Sequence, residues 1–158
     1  MRVTKRTNIA LRVMMFCAAN PGRLATKAEI SQVCQTSENH LAQVINQLAQ
    51  IGLLHTQRGR NGGLSLARPP HDVTIGEVFR ALEGPLPLAE CFSDTDDSCP
   101  LISACRLRLA LQDAAEVFFA HLDGITLDAL VCDNPALMHL LTPPACAAQT
   151  RSTMPSPA

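Results

Sequence analysis

Two helix-start signals set close together constrain this chain most. Thr26-Lys27-Ala28-Glu29 is a capping box: the Thr26 hydroxyl takes one orphan N–H, and Glu29 reaches back to another. Ser37 is the next good N-cap, with Glu38 placed to complement the first-turn dipole. A helix opened at Thr26 therefore runs only to about Cys34 before the next begins. Leu41, Val44, Ile45 and Leu48 form the apolar stripe of that next helix, and Gly52 ends it. Upstream, Ile9, Ala10, Val13, Met14 and Cys17 mark one face of a helix over residues 8–19, stopped by Asn20-Pro21-Gly22. Three helices, the last two joined by a very short turn, are thus expected before Gly52.

Leu53–Gln57 and Leu64–Ala67 read as short strands. Between them lies Arg58-Gly59-Arg60-Asn61-Gly62-Gly63, where Asn-Gly and Gly-Gly accept positive φ, so a hairpin is expected. Thr74-Ile75-Gly76-Glu77 is another capping box, opening a helix with Ile75, Val78, Phe79 and Leu82 inward and Gly84-Pro85 as its stop. Residues 85–102 have no periodicity and hold two Cys and four acids. From about Ser103 a long helix is expected to Leu122, with Leu107, Leu111, Ala114, Ala115, Phe118, Phe119 and Leu122 on one broad face. Asp123-Gly124 breaks it, and residues 126–131 supply one or two more turns. Residues 142–158, rich in Pro, Ala, Ser and Thr, read as a disordered tail. The fold class is mainly α with a small β-hairpin wing. A winged helix-turn-helix occupies 1–84, a cysteine loop 85–102 and a long-helix region 103–131.

A winged helix-turn-helix suits double-stranded DNA. A helix beginning near Ser37 can enter a major groove and present its N-terminal residues to base edges. Asn39, His40 and Gln43 are its polar residues opposite the apolar stripe, and Asn and Gln can pair bidentately with adenine. An ordinary solvated face would look the same without the hairpin beside it. Arg58, Arg60 and Asn61 sit on a tip of small residues that lets backbone approach a sugar-phosphate wall. The rival reading, a phosphate loop, lacks the Walker lysine and serine and links two strands instead of opening a helix.

Charge supports the DNA reading once it is divided. The net charge is -1, but residues 1–70 hold nine Lys/Arg against two acids, and residues 71–158 hold four against twelve. The basic half suits a polyanion. Aromatic residues are 3%, with no Trp or Tyr, which argues against stacking platforms for bases or sugars. No apolar run is long enough to span a membrane, so a cytoplasmic protein is expected.

Seven Cys without an export signal favour buried thiols plus a metal or redox site over a disulfide framework. Cys91, Cys99 and Cys105 lie within fifteen residues and can converge on one centre. Thiolates select iron–sulfur clusters or zinc, and this spacing does not choose between them, although the tight Cys pair usual for zinc is missing. A metal-free redox switch also fits. Cys17 and Cys34 read as small hydrophobes on helix faces, and Cys132 and Cys146 as bystanders near the tail. An enzyme with a Cys nucleophile and His40, His55 or His121 as base is not expected. Nothing pairs these residues, and the acids around Cys91 and Cys99 would raise a thiol pKa.

Three stretches together resemble the Rrf-type winged-helix regulators: Thr4-Lys5-Arg6-Thr7-Asn8-Ile9-Ala10-Leu11-Arg12, Arg58 through Leu66, and the three-Cys loop running into Cys105-Arg106-Leu107. The resemblance covers residues 1–131. It implies a homodimer, packed through the long helix, that represses from pseudo-palindromic operators. It also implies an iron–sulfur cluster, 4Fe-4S or alternatively 2Fe-2S, held by Cys91, Cys99 and Cys105. Arg108 stands where the cluster-biogenesis branch has a His, which argues against that branch. Asn39-His40-Leu41 resembles the nitric-oxide-sensing NsrR-like branch, in which an acidic residue of the partner's first helix can be fourth ligand. Asn8 stands at that position here. The Cys spacing and the opening Met1-Arg2-Val3-Thr4-Lys5 resemble the iron-responsive RirA-like branch. Nitric oxide is the favoured signal, and iron the alternative.

Overall fold

The computed structural model describes residues 3–84 and 99–142. Helix α1 (Lys5–Ala19) begins one turn before the Asn8 start expected from its stripe, because Thr4 caps it by accepting from the Thr7 amide. Asn20 ends it. Helix α2 (Lys27–Cys34) opens on the full Thr26–Glu29 capping box. A three-residue turn then leads to α3 (Glu38–Gln50), with Gln35 in the left-handed region at φ 49°. That conformation costs a non-glycine residue about 1 kcal/mol, and local bonds hold it. The Thr36 amide and the Ser31 hydroxyl donate across the turn to the Ser31 and Thr36 carbonyls. Arg12 of α1 donates to the Cys34 carbonyl at 3.3 Å, a cation at a helix C-terminus.

Ser37 stands at the N-cap of α3 but makes no side-chain cap bond. Its hydroxyl meets His40 Nδ1 at 3.1 Å instead, so the expected cap holds in position and not in chemistry. Helix α3 buries Leu41, Val44, Ile45 and Leu48. It closes through Ile51 and Gly52, the latter at φ 76°, with the Leu53 amide donating to the Leu48 carbonyl.

Strands β1 (Leu54–Gln57) and β2 (Gly63–Leu66) pair antiparallel, from Leu54 opposite Leu66 to Gln57 opposite Gly63. Ala25 adds a bridge on the other edge of β2, exchanging both backbone bonds with Leu64. The tip places its positive φ at Gly59 (110°), not at the Asn61-Gly62 pair. Gly62 and Gly63 serve close approach instead: a Cβ on Gly62 would strike the Gln57 carbonyl, and one on Gly63 the Ala25 carbonyl.

Helix α4 (Ile75–Glu83) opens with Thr74 accepting from the Glu77 amide and buries Ile75, Val78, Phe79 and Leu82. A single 3-10 turn (Ile102–Ala104) precedes α5 (Arg106–Asp123), so the long helix starts three residues later than the expected Ser103. Cys105 is its N-cap, the sulfur accepting from the Arg108 amide at 3.4 Å. Two short helices follow, α6 (Leu127–Val131) and α7 (Pro135–Leu141), the latter capped by Asn134 with Pro135 in its first turn. Helix α7 extends order to Leu141; beyond Thr142 the expected tail lies outside the described residues.

One apolar core among the described residues spans α1, α2, α3, the strands, α4, α6 and Leu141. Helix α4 is clamped to α5. Arg80 holds Asp123 bidentately at 2.5 and 2.7 Å and lies over the Phe119 ring, and Phe118 meets Phe79 edge-on. Gly76 packs so close to Asp123 that a Cβ there would overlap the carboxylate.

Three carboxyls among the described residues sit below their usual range. For Asp123 the main cause is hydrogen bonding from Arg80. For Glu29 and Glu83 burial pushes upward, but hydrogen bonds from Thr26 and Arg23, and from Thr7 and Thr4, outweigh it. A carboxyl depressed in the folded state contributes stability above its unfolded pKa and loses it as pH falls through the folded value. The urea midpoint should therefore hold near neutrality and fall on acidification below the ordinary carboxylate range. Asp123→Asn should give a shallower acid limb, measured by circular dichroism.

Candidate DNA-binding face and cysteine centre

The predicted reading residues share one surface. Ser37, Asn39, His40 and Gln43 are all exposed along the first turns of α3, while the opposite side of that helix is in the core. The packed face fixes the helix, so the polar face is presented without rearrangement. Arg58, Arg60 and Asn61 are exposed at the wing tip.

Two depressions flank α3 and bring in residues that sequence reasoning missed. One, about 300 Å³, is lined by Lys5, Arg6, His40, Gln43 and Gln47, so the start of α1 borders the reading face. The other, about 600 Å³, lies between α2, α3 and the wing, with Thr26, Lys27, Asn46 and Arg58 among its lining. Lys5, Lys27 and Arg58 thus put positive charge on both sides of α3, where phosphates on either side of a groove would run. The charge split in the sequence was the available signal for Lys5 and Lys27, but it could not say which lysines share a face.

The cysteines separate by environment. Cys17 and Cys34 are buried in the core as expected, and the Cys17 thiol is pushed up to about 12, burial being the main cause. Cys132 is exposed, and its thiol is raised chiefly by donating to Asp128 at 3.0 Å. Cys99 and Cys105 are half-buried free thiols on either side of the 3-10 turn, with the Ile102 amide bonded to the Cys99 carbonyl. Two soft donors held by one tight turn fit a thiolate-bound metal, and one of them lies at the positive end of α5. Cys91 and Cys146 lie outside the described residues. Among the described residues no three His, Cys, Asp or Glu side chains gather into a metal site. Asn8 is exposed on α1 beside an open hollow lined also by Val3, Thr4 and Lys5.

Helix α5, with no fully buried residue, carries two stripes at three- and four-residue spacing. Leu111, Ala115, Phe118 and Leu122 turn inward and are half-buried; Leu107, Ala110, Ala114 and Val117 are exposed. Leu107 and Ala114 lie on the broad face expected from sequence but at its exposed edge, where it continues into the second stripe. No helix among the described residues is long and apolar enough to cross a membrane.

Comparison with known proteins gives a consistent result. The Rrf2 family profile, described as an iron-dependent transcriptional regulator, matches residues 3–133. The chain is 41% identical over 141 residues to protein aau3 of Rhizobium meliloti strain 1021, covering 89% of this chain and 92% of that one. It is 40% identical over 142 residues to the HTH-type transcriptional regulator NsrR of Geobacillus kaustophilus strain HTA426, covering 89% and 97%. Among solved structures it resembles CymR, the global cysteine regulator of B. subtilis, with TM-score 0.64 and 26% identity over 83% of this chain and 96% of that one. It also resembles T. potens IscR, with TM-score 0.66 and 26% identity over 83% and 86%.

Proposed function

Given that the chain belongs to the Rrf2 family of transcriptional regulators, we propose that it is a homodimeric, operator-binding repressor that senses nitric oxide through an iron–sulfur cluster. The observation that carries this reading is the adjacency of Cys99 and Cys105 to the start of the helix with the exposed second stripe. The same chain presents a basic reading face on α3 and the wing. Likeness to NsrR along nearly its whole length supports nitric oxide as the signal.

Cys91, Cys99 and Cys105 would hold the cluster as thiolates, with Asn8 of the partner subunit as the candidate fourth ligand; 4Fe-4S is the expected form. When bound, such a cluster supplies iron that small diatomics can reach. The chain's own residues supply the rest. Ser37, Asn39, His40 and Gln43 meet base edges, and Arg58, Arg60 and Asn61 reach into the minor groove beside them. The exposed α5 stripe pairs with a second copy and sets the separation of the two α3 helices. Half-sites one helical turn apart tolerate little change in that separation.

Anaerobically purified protein should contain iron and sulfide and absorb in the visible range. Its affinity for operator DNA should fall at least tenfold on stoichiometric nitric oxide. Unchanged affinity would sink the nitric-oxide assignment. Cys99→Ala should abolish the visible absorbance, and a variant that kept it would refute the ligand set. The family's iron-dependent description favours a second reading, in which iron supply is the signal. In that case a chelator releases the operator and nitric oxide does not.

A further inference from the structure

Helix α4 joins two parts of the molecule that the repressor reading needs to move together. It is locked to α5 through Arg80, Asp123 and Phe119. Within one turn of Arg80, its C-terminal end meets the start of α1. Glu83 Oε1 accepts from the Thr4 hydroxyl at 2.7 Å and from the Thr4 amide at 3.0 Å, and Arg6 donates to the Leu82 carbonyl at 2.5 Å. Thr4 is also the N-cap of α1. One carboxylate oxygen therefore holds the residue that starts α1, across a sequence separation of 79. The next residue, Lys5, lines the depression shared with His40, Gln43 and Gln47. Arg6 donates one N–H to the α4 carbonyl, while among the described residues the Lys5 ammonium makes no ion pair and can meet a phosphate at that edge.

We propose that Glu83 is a positioning residue for DNA binding: from the end of a helix clamped to α5, it fixes Thr4 and so holds Lys5 beside the α3 reading face. This rests on the DNA-binding reading above and adds a route by which the attitude of α5 reaches the DNA surface. An ordinary tertiary hydrogen bond would stabilise the fold and leave DNA affinity alone. A positioning role acts through Lys5.

The discriminating experiment is a double-mutant cycle read by fluorescence anisotropy on a mixed-sequence duplex long enough for two half-sites. Non-specific binding reports phosphate contacts without requiring the operator. Glu83→Ala and Lys5→Ala should each weaken binding about five- to tenfold, and each should lower the salt slope by about one per protomer. The double variant should be no weaker than the worse single, because both remove the same contact. Glu83→Gln keeps the acceptor oxygen for Thr4, so it should bind within about twofold of wild type and guards against misfolding of the alanine variant. Additive losses, or Glu83→Ala binding with wild-type affinity and slope, would overturn the proposal. Failure of the repressor reading is visible separately, as a wild-type chain that does not prefer operator over the mixed duplex while the cycle still gives its answer.

Discussion

Val117→Glu should convert the protein to a monomer in analytical ultracentrifugation and lower operator affinity by about a hundredfold or more. Val117 is 70% exposed and Leu107 67%, yet both lie on a regular stripe with Ala110 and Ala114. An 18-residue helix is about 27 Å long, enough for a two-helix seam. A carboxylate at its middle would be desolvated opposite its own copy, which repels as well as costing burial. Linking two half-site readers makes the second contact intramolecular, and that linkage contributes roughly two to four decades of affinity. The monomer should keep its fold, because the substituted side chain points away from Phe118 and Leu122. An intact dimer would place the interface elsewhere on the chain.

Asn20→Ala should lower unfolding stability by about 2–4 kcal/mol in urea titration. Asn20 is buried and fully engaged. Its amide donates to the Phe16 carbonyl at 2.8 Å and to the Leu141 carbonyl at 3.0 Å. Its oxygen accepts from Arg23 Nε and Nη2 at 3.1 and 3.0 Å. Arg23 in turn reaches Glu29, which completes the Thr26 capping box. One side chain thus ties the end of α1 to the last turn of α7 and to the start of α2. Truncation strands two carbonyls and loosens Arg23. Asn20→Asp is the sharper comparison. It keeps the Arg23 partner but aims a carboxylate oxygen at two carbonyl oxygens, so it should be at least as destabilising. A value under 1 kcal/mol for either variant would mean that water replaces these bonds.

What was legible from sequence follows the range of the interaction that decides it. Thr26 with Glu29 and Thr74 with Glu77 are signals three residues long, and both helices begin where those pairs put them. Leu41, Val44, Ile45 and Leu48 recur at helical spacing and are buried. The start of α1 was placed by its apolar stripe and so came one turn late; the Thr4–Thr7 cap is itself local, and only its anchor, a carboxylate 79 residues away, lies beyond sequence. Periodicity gave α5 its apolar face but not which part of it packs inward, since Leu107 and Leu111 look alike until tertiary packing distinguishes them. The position of Lys5 and Lys27 beside α3 was missed for the same reason: only packing shows that they border it. Asn20 read simply as a helix stop, and its second role depends on Leu141.

Under the proposed function the sulfur of Cys105 would answer to two demands. As the N-cap of α5 it satisfies a backbone amide whether or not a metal is bound. Serine would meet that demand at least as well and would be a poor soft ligand for iron. The capping role of position 105 is therefore independent of metal binding. Under the proposed function, Cys105→Ser should therefore fold as wild type does and be colourless, which separates the cap from the ligand in one substitution.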